Sequence, residues 1–268
     1  MFRLKMRPPI ISSLIILLFT SSLAIAGQGQ AEFSADVIQS MPQQESRQGR
    51  IYIGNDQVRT DINVGDKTMI QIIDIKQQTA YMLDPVQKTY LERKAGPGEF
   101  NPGGGVPAKD TDPCAGMQNL LCSRIGVESV NGRSAEKWEL ENTAMGQSGQ
   151  MVIWLDQERH IPVRQILPDG STMEMRLLGS ETLNGRTVEK WEMKTTRPGG
   201  QNSVAYQWFD PELNMNIREE QPGGFVSELR NIRVGKQPAD LFTLPTGYKM
   251  MSMPQDSVPG RQDQESYP

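Results

Sequence analysis

The chain has 268 residues, with 28 Lys and Arg against 32 Asp and Glu, one His, two Cys and 37% hydrophobic residues. A net charge of −4 leaves no basic footprint for nucleic acid or for an anionic membrane surface. One histidine leaves none to spare for metal or triad chemistry, and the modest apolar fraction favours one well-filled core over two.

The first segment reads as a leader, not as fold. Arg3, Lys5 and Arg7 form a positive start, "IISSLIILLF" is an apolar run too short for a comfortable membrane span, and Ala24-Ile25-Ala26 is a small-x-small site. The pattern predicts a signal peptide over residues 1–26, cleaved near Ala26, and no transmembrane segment in the mature chain; an uncleaved membrane anchor is the alternative. Losing the three basic residues moves the net charge from −4 to −7. No cysteine follows the cleavage site, so the expected product is soluble and periplasmic and carries no lipid anchor.

Residues 27–251 read as one β domain. Its first part, 32–92, is a strand meander: "AEFSADVIQ", "GRIYIG", "QVRTDIN", "TMIQIIDI", "TAYMLD" and "KTYLE" alternate, with "GND", "VGDK", "IKQQ" and "DPVQ" as turns. Connections this short favour antiparallel neighbours. A Gly/Pro-rich insert over 93–113 follows, which suits either a flexible linker or a lid. Pro113–Arg124 is the best candidate for a short helical turn. In an oxidising compartment Cys114 and Cys122 suggest a disulfide, which requires "CAGMQNLLC" to fold back, because eight helical residues span about 12 Å. Two free thiols, or a helix holding the cysteines apart, are the alternatives.

The next part contains an internal duplication, 126–178 and 179–232. "VNGRSAEKWEL" at Val130–Leu140 recurs as "LNGRTVEKWEM" at Leu183–Met193, an offset of 53. "VIWLDQERHIPVR" (Val152–Arg164) recurs as "YQWFDPELNMNIR" (Tyr206–Arg218), an offset of 54. "MEMRLL" (Met173–Leu178) pairs with "SELRNI" (Ser227–Ile232). Asn-Gly is a strong type I′ hairpin signal. Glu136, Trp138 and Leu140 then share one face, with Ala135, Lys137 and Glu139 on the other, so the Glu-Lys pairs read as a solvated strand face. His160 falls in a turn and reads as a surface residue. Residues 252–268 are polar and proline-bearing and read as a disordered tail.

The start "FSADVIQSM…GRIYIGNDQVRTDIN…IIDIKQQTAYMLDPVQKTYLE" and the ending "NIRVGKQPADLFTLPTGYKM" resemble the LolA-like superfamily of exported bacterial proteins. That superfamily includes the periplasmic lipoprotein carrier LolA, the outer-membrane receptor LolB, LppX and the regulator RseB; the chain looks most like a lipoprotein-sorting-like branch of unknown function. The resemblance implies a mainly β fold with few short helices: a single curved antiparallel sheet forming an unclosed half-barrel, here with an internal hairpin repeat. It implies a lipid or lipoprotein acyl chain as ligand, or an envelope protein as partner. Two departures stand out: the first strand begins with no room for an N-terminal helix, and the insert is Gly/Pro-rich instead of a long amphipathic helix.

An oily trough in such a sheet is expected to be lined by Trp138, Leu140, Trp154, Met175, Trp191, Met193, Trp208 and Met215, methionine being suited to adaptable apolar surfaces. Ordinary core is the competing reading for each. No Gly-x-Ser-x-Gly elbow, His-Glu-x-x-His helix or phosphate loop occurs, so no enzyme, catalytic residue, metal or cofactor is expected. Three roles stand: a lipid or lipoprotein carrier, a non-catalytic interaction or envelope-stress sensor module, and a structural envelope protein without ligand.

Overall fold

Period-two alternation between closely spaced turns commits this chain to strands. A computed structural model describes residues 31–94, 113–114, 120–143 and 149–251. It is 66% strand and 2% helix, so the sheet has little but itself to cover its faces.

The meander consists of β1 (Phe33–Ser40), β2 (Arg47–Gly54), β3 (Gln57–Val64), β4 (Lys67–Asp74), β5 (Thr79–Asp84) and β6 (Thr89–Lys94). The first repeat supplies β7 (Leu120–Val130), β8 (Arg133–Asn142), β9 (Gly149–Asp156) and β10 (Pro162–Ile166). The second supplies β11 (Thr172–Leu183), β12 (Arg186–Thr196), β13 (Asn202–Asp210) and β14 (Met215–Glu220). Then come β15 (Val226–Val234), a 3-10 turn at Ala239–Phe242 and the two-residue β16 (Lys249–Met250). All belong to one unclosed sheet in the order β16-β6-β5-β4-β3-β2-β1-β15-β14-β13-β12-β11-β10-β9-β8-β7. Pairing is antiparallel except between β16 and β6. The expected single curved sheet with few helices is the observed architecture.

The turns follow from residue type. Asn131 and Asn184 have φ of 50° and 52°, followed by Gly132 at 81° and Gly185 at 78°, the left-handed pair that a type I′ hairpin needs. A second device recurs at Asp74, Asp84, Asp156 and Asp210, whose carboxylates accept backbone N–H bonds two or three residues on: from Gln77, from Val86 and Gln87, from Glu158 and Arg159, and from Glu212 and Leu213. Each of these turns then takes one left-handed residue, Gln78, Lys88, His160 or Asn214. His160 is therefore a turn residue.

Bulges bend the sheet. β7 carries an extra residue between Arg124 and Gly126, β11 between Leu177 and Gly179, and β15 between Arg230 and Arg233. The first two mark equivalent positions of the repeat, and the third shows that β15 begins another copy. A bulge adds twist and kinks its strand, so the long hairpins fold over. At their tips Asn131 Nδ2 donates to the Met175 carbonyl at 3.1 Å, and Asn184 Nδ2 to the Leu229 carbonyl at 3.4 Å and to Glu228 Oε1 at 3.0 Å. Each tip thereby reaches a strand three places along the sheet. Phe33, Ile53, Val188 and Met215 reach 0% exposure, which a single layer achieves only by curling over them.

Two expectations change, the helical turn and the start of the insert, while the expected disulfide holds. Leu120–Arg124 is not helical: it opens β7, pairing with β8 from Leu120↔Asn142 onward. The Cys114–Cys122 disulfide is formed, with Cα atoms 5.9 Å apart, the fold-back that a helix would forbid. Arg93 and Lys94 belong to β6. The leader over 1–26, the rest of the insert up to residue 112, and the tail over 252–268 lie outside the described residues.

Candidate functional site

Each repeat builds the same cage around one tryptophan. Trp154 on β9 donates its indole N–H to Glu128 Oε2 at 2.8 Å, with Lys137 Nζ 5.1 Å and Arg164 Cζ 4.9 Å from the ring centre. Trp208 on β13 bonds Glu181, with Lys190 Nζ at 4.6 Å and Arg218 Cζ at 5.2 Å. A cation over an indole face contributes about 0.5–2 kcal/mol. The repeated lysines are thus not simply a solvated face, as their alternation suggested: the stem and charge of each cover a buried ring. Glu189 of the second Glu-Lys pair is also buried, held by Arg159 and by the Trp191 indole at 3.3 Å.

Buried ion pairs repeat as well. Arg133 bonds Asp156 at 2.5 and 2.9 Å, and Arg186 bonds Asp210 in the same way. Burial works to raise the Asp156 carboxyl, but hydrogen bonds from Arg133 and from the backbone of Arg159 and Glu158 hold it below its ordinary value. The Trp154 and Lys137 hydrogen bonds likewise lower Glu128. These carboxylates are occupied in holding the fold, so they have no spare capacity for acid–base work.

The eight residues singled out as a lining do not share one surface. Trp154, Met175 and Trp191 are buried in one cluster, with Met193 packed at its margin. Trp208 and Met215 belong to a second cluster with Phe33, Ile51 and Leu229. Leu140 belongs to a third, with Trp138 at its margin and Cys114 against it. Trp138 and Met193 are the two that keep partial exposure.

Sequence reasoning did not single out the wing β3–β6. On one face, Tyr52, Ile70, Ile72, Tyr81, Leu83 and Tyr90 are sealed by Leu241, Phe242, Leu244 and Tyr248. Phe242 sits so close to Gly54 that a Cβ there would lie 2.8 Å from its ring, and Arg59 Nη1 bonds the Leu241 carbonyl at 3.0 Å. The opposite face presents Ile62, Met69, Ile73, Met82 and Leu91, linked by the registers Ile62↔Met69, Ile73↔Ala80 and Met82↔Leu91. These five are only partly buried; Ile62 and Ile73 pack against the cluster of Phe33, Ile51 and Val58, and the one helix among the described residues covers the other side. Period-two alternation could have found them; the tryptophan repeats drew attention elsewhere.

Two cavities adjoin this region. A cleft of about 490 Å³ is polar, lined by Asp36, Gln48, Arg50, Asp61, Asn63 and Arg230 among others. Its charges neutralise one another: Arg50 pairs with Asp36 at 3.3 Å, and Arg59 grips Asp61 at 2.7 and 3.0 Å. A smaller cavity of about 50 Å³ lies inside the curl, where Glu219 of β14 meets Thr60 of β3 and Ser227 of β15. Burial pushes the Glu219 carboxyl up to about 7, against a weak opposing bond from Asn216. Glu219 follows Met215 and Ile217 at period two, a signal that could have marked it as inward. Among the described residues, no group of three or more His, Cys, Asp or Glu could hold a metal ion.

No family model matches the sequence, and no curated protein matches it. Solved structures do. A LolA superfamily protein from Nitrosomonas europaea shares 12% identity, with 83% of this chain covering 94% of that one at a TM-score of 0.39. A DUF1329 family protein from Desulfovibrio piger shares 12%, with 81% covering 91% at 0.38. MucB shares 11%, with 82% covering 92% at 0.22.

Proposed function

We propose that this protein is an exported, periplasmic, non-catalytic binding protein that takes the acyl part of a lipid or lipoprotein, with a role in envelope lipid or lipoprotein traffic. The observation that carries the reading is the one-sided wing. Its row of Ile62, Met69, Ile73, Met82 and Leu91 crosses four strands, three steps of about 4.8 Å, or roughly 14 Å. Ile62 and Ile73 pack at the margin of the core, and among the described residues no helix covers this face; a partly exposed apolar patch of that length invites an elongated apolar occupant, and its two methionines can adapt to one. The leader pattern fits export, and no helix among the described residues is long and apolar enough to cross a membrane.

Native mass spectrometry of protein prepared from the envelope without delipidation tests this reading. Lipid adducts are expected on the wild type and are expected to be lost in Met82→Glu and Leu91→Glu, whose partly exposed sites should tolerate the change. Consistently empty wild-type protein would overturn the proposal.

One observation favours a second reading, the interaction module. β7 is an eleven-residue edge strand, with Leu121 60%, Ile125 50% and Val127 49% exposed. An edge of this kind can accept an extended segment of another protein. A stable crosslinked partner that is lost on Val127→Lys, together with a lipid-free wild type, would favour it over the carrier.

A further inference from the structure

We propose that Glu219 is a proton-operated latch of the curled sheet: uncharged, it lets β14 close against β3 across the curl, and ionised, it draws water in and lifts β14 away from β3. The inference is independent of what the protein binds. Glu219 is 7% exposed and shares its cavity with Val37 of β1, Ile51 of β2, Thr60 of β3 and Ser227 and Leu229 of β15. β14 and β3 are four places apart in the sheet, roughly 19 Å along its surface at about 4.8 Å per step. They line one cavity of about 50 Å³ only because the sheet closes there. That space has room for a water or two at about 30 Å³ each, far short of a carboxylate's hydration shell.

Among the described residues, no counter-charge reaches the group. Arg218 turns to Glu220 and Glu228. Glu228 is engaged by Arg218 and Arg230, Asp61 by Arg59, and Asp36 by Arg50. From β13 the residue opposite is Gln207. The causes acting on the carboxyl are burial and the Asn216 Nδ2 bond at 3.2 Å, with no charge among them.

The sign follows. Burial raises the folded-state value from 4.5 to about 7, so closure gains its full proton-linked advantage below 4.5 and loses it as pH rises through 7. The closed-to-open ratio is then expected to fall roughly 70-fold between pH 5 and pH 8.

Amide hydrogen exchange, corrected for intrinsic rates, tests the latch in the wild type and in Glu219→Gln, which mimics the neutral acid. Protection at Ile51, Thr60 and Leu229 should fall by about that factor in the wild type and stay flat in the variant, while β8 and β9 change in neither. Direct carbon-13 titration of the Glu219 carboxyl in folded wild type, needing no variant, should give a midpoint near 7. A midpoint near 4.5, a flat wild-type profile, or an equal loss of protection in Glu219→Gln would each overturn the proposal.

Discussion

Asn184 holds Leu229. The asparagine at the tip of the β11–β12 hairpin donates to a backbone carbonyl of β15 at 3.4 Å, and its equivalent, Asn131, does the same to Met175 at 3.1 Å. These bonds fasten a bulged hairpin across the strands that follow it. Asn184→Gly keeps the left-handed backbone and removes the side-chain bonds, so a loss of about 1 kcal/mol is expected in urea unfolding. Asn184→Ala adds left-handed strain of about 1–2 kcal/mol and should lose more. Equal losses in the two variants would show that the bonds alone matter.

Lys190 lies 4.6 Å over the Trp208 ring. Lys190→Met keeps most of the stem packing and removes the charge; a loss of about 0.5–1 kcal/mol is expected. Lys190→Ala should lose more and shift Trp208 emission to the red. Unchanged emission in Lys190→Ala would mean that the stem does not shield the indole.

Asp156 is 1% exposed, and its carboxyl sits below the ordinary value of 3.8 because Arg133 and backbone N–H groups bind its charged form, outweighing burial. A depressed carboxylate gives stability that is complete above about 3.8 and is lost as pH falls through the lower folded value. Acid unfolding of the wild type should therefore steepen below pH 4, and Asp156→Asn should flatten that limb. Asp156→Ala leaves Arg133 with the exposed Glu158 as its remaining partner and is expected to lose about 3 kcal/mol at neutral pH.

The Cys114–Cys122 bond closes a short loop, with a separation of 8. Chain-entropy arithmetic for a loop of this size gives about 2.5 kcal/mol. The double variant Cys114→Ser, Cys122→Ser should lose about that much. It should do so chiefly around β7–β9, because Cys114 packs on Leu140, Ile153 and Leu155.

Much of the strand pattern was legible because alternation and turn chemistry are local. Asn131-Gly132, Asn184-Gly185 and the Asp156 and Asp210 turns all announce themselves in the residues that form them. Bulges do not: Ile125 and Leu178 look like ordinary strand residues, and their protrusion depends on which partner residues β8 and β12 offer. The lysine covers were hidden for a related reason, since Lys137 meets Trp154 only through the β8–β9 register. Leu120–Arg124 misled because its short apolar run suits helix or strand until pairing decides. The candidate site suffered most: tryptophans attract notice, yet the partly exposed apolar patch of the wing consists of ordinary isoleucine, leucine and methionine.

β1 is joined to β15, so the two ends of the described meander meet at the centre of the sheet, while both outer margins come from mid-chain and from the short β16. The chain is thereby wired like a simple up-and-down ribbon cut open between β6 and β7 and rejoined at its former termini. Its central junction spans nearly two hundred residues of separation, as in the Asn231 to Asp36 side-chain bond at 2.7 Å. Synthesis therefore leaves β1 with β2 as its single neighbour until the segment Val226–Val234 has been made. The seam at the middle of the sheet is sewn last, after the pieces it joins.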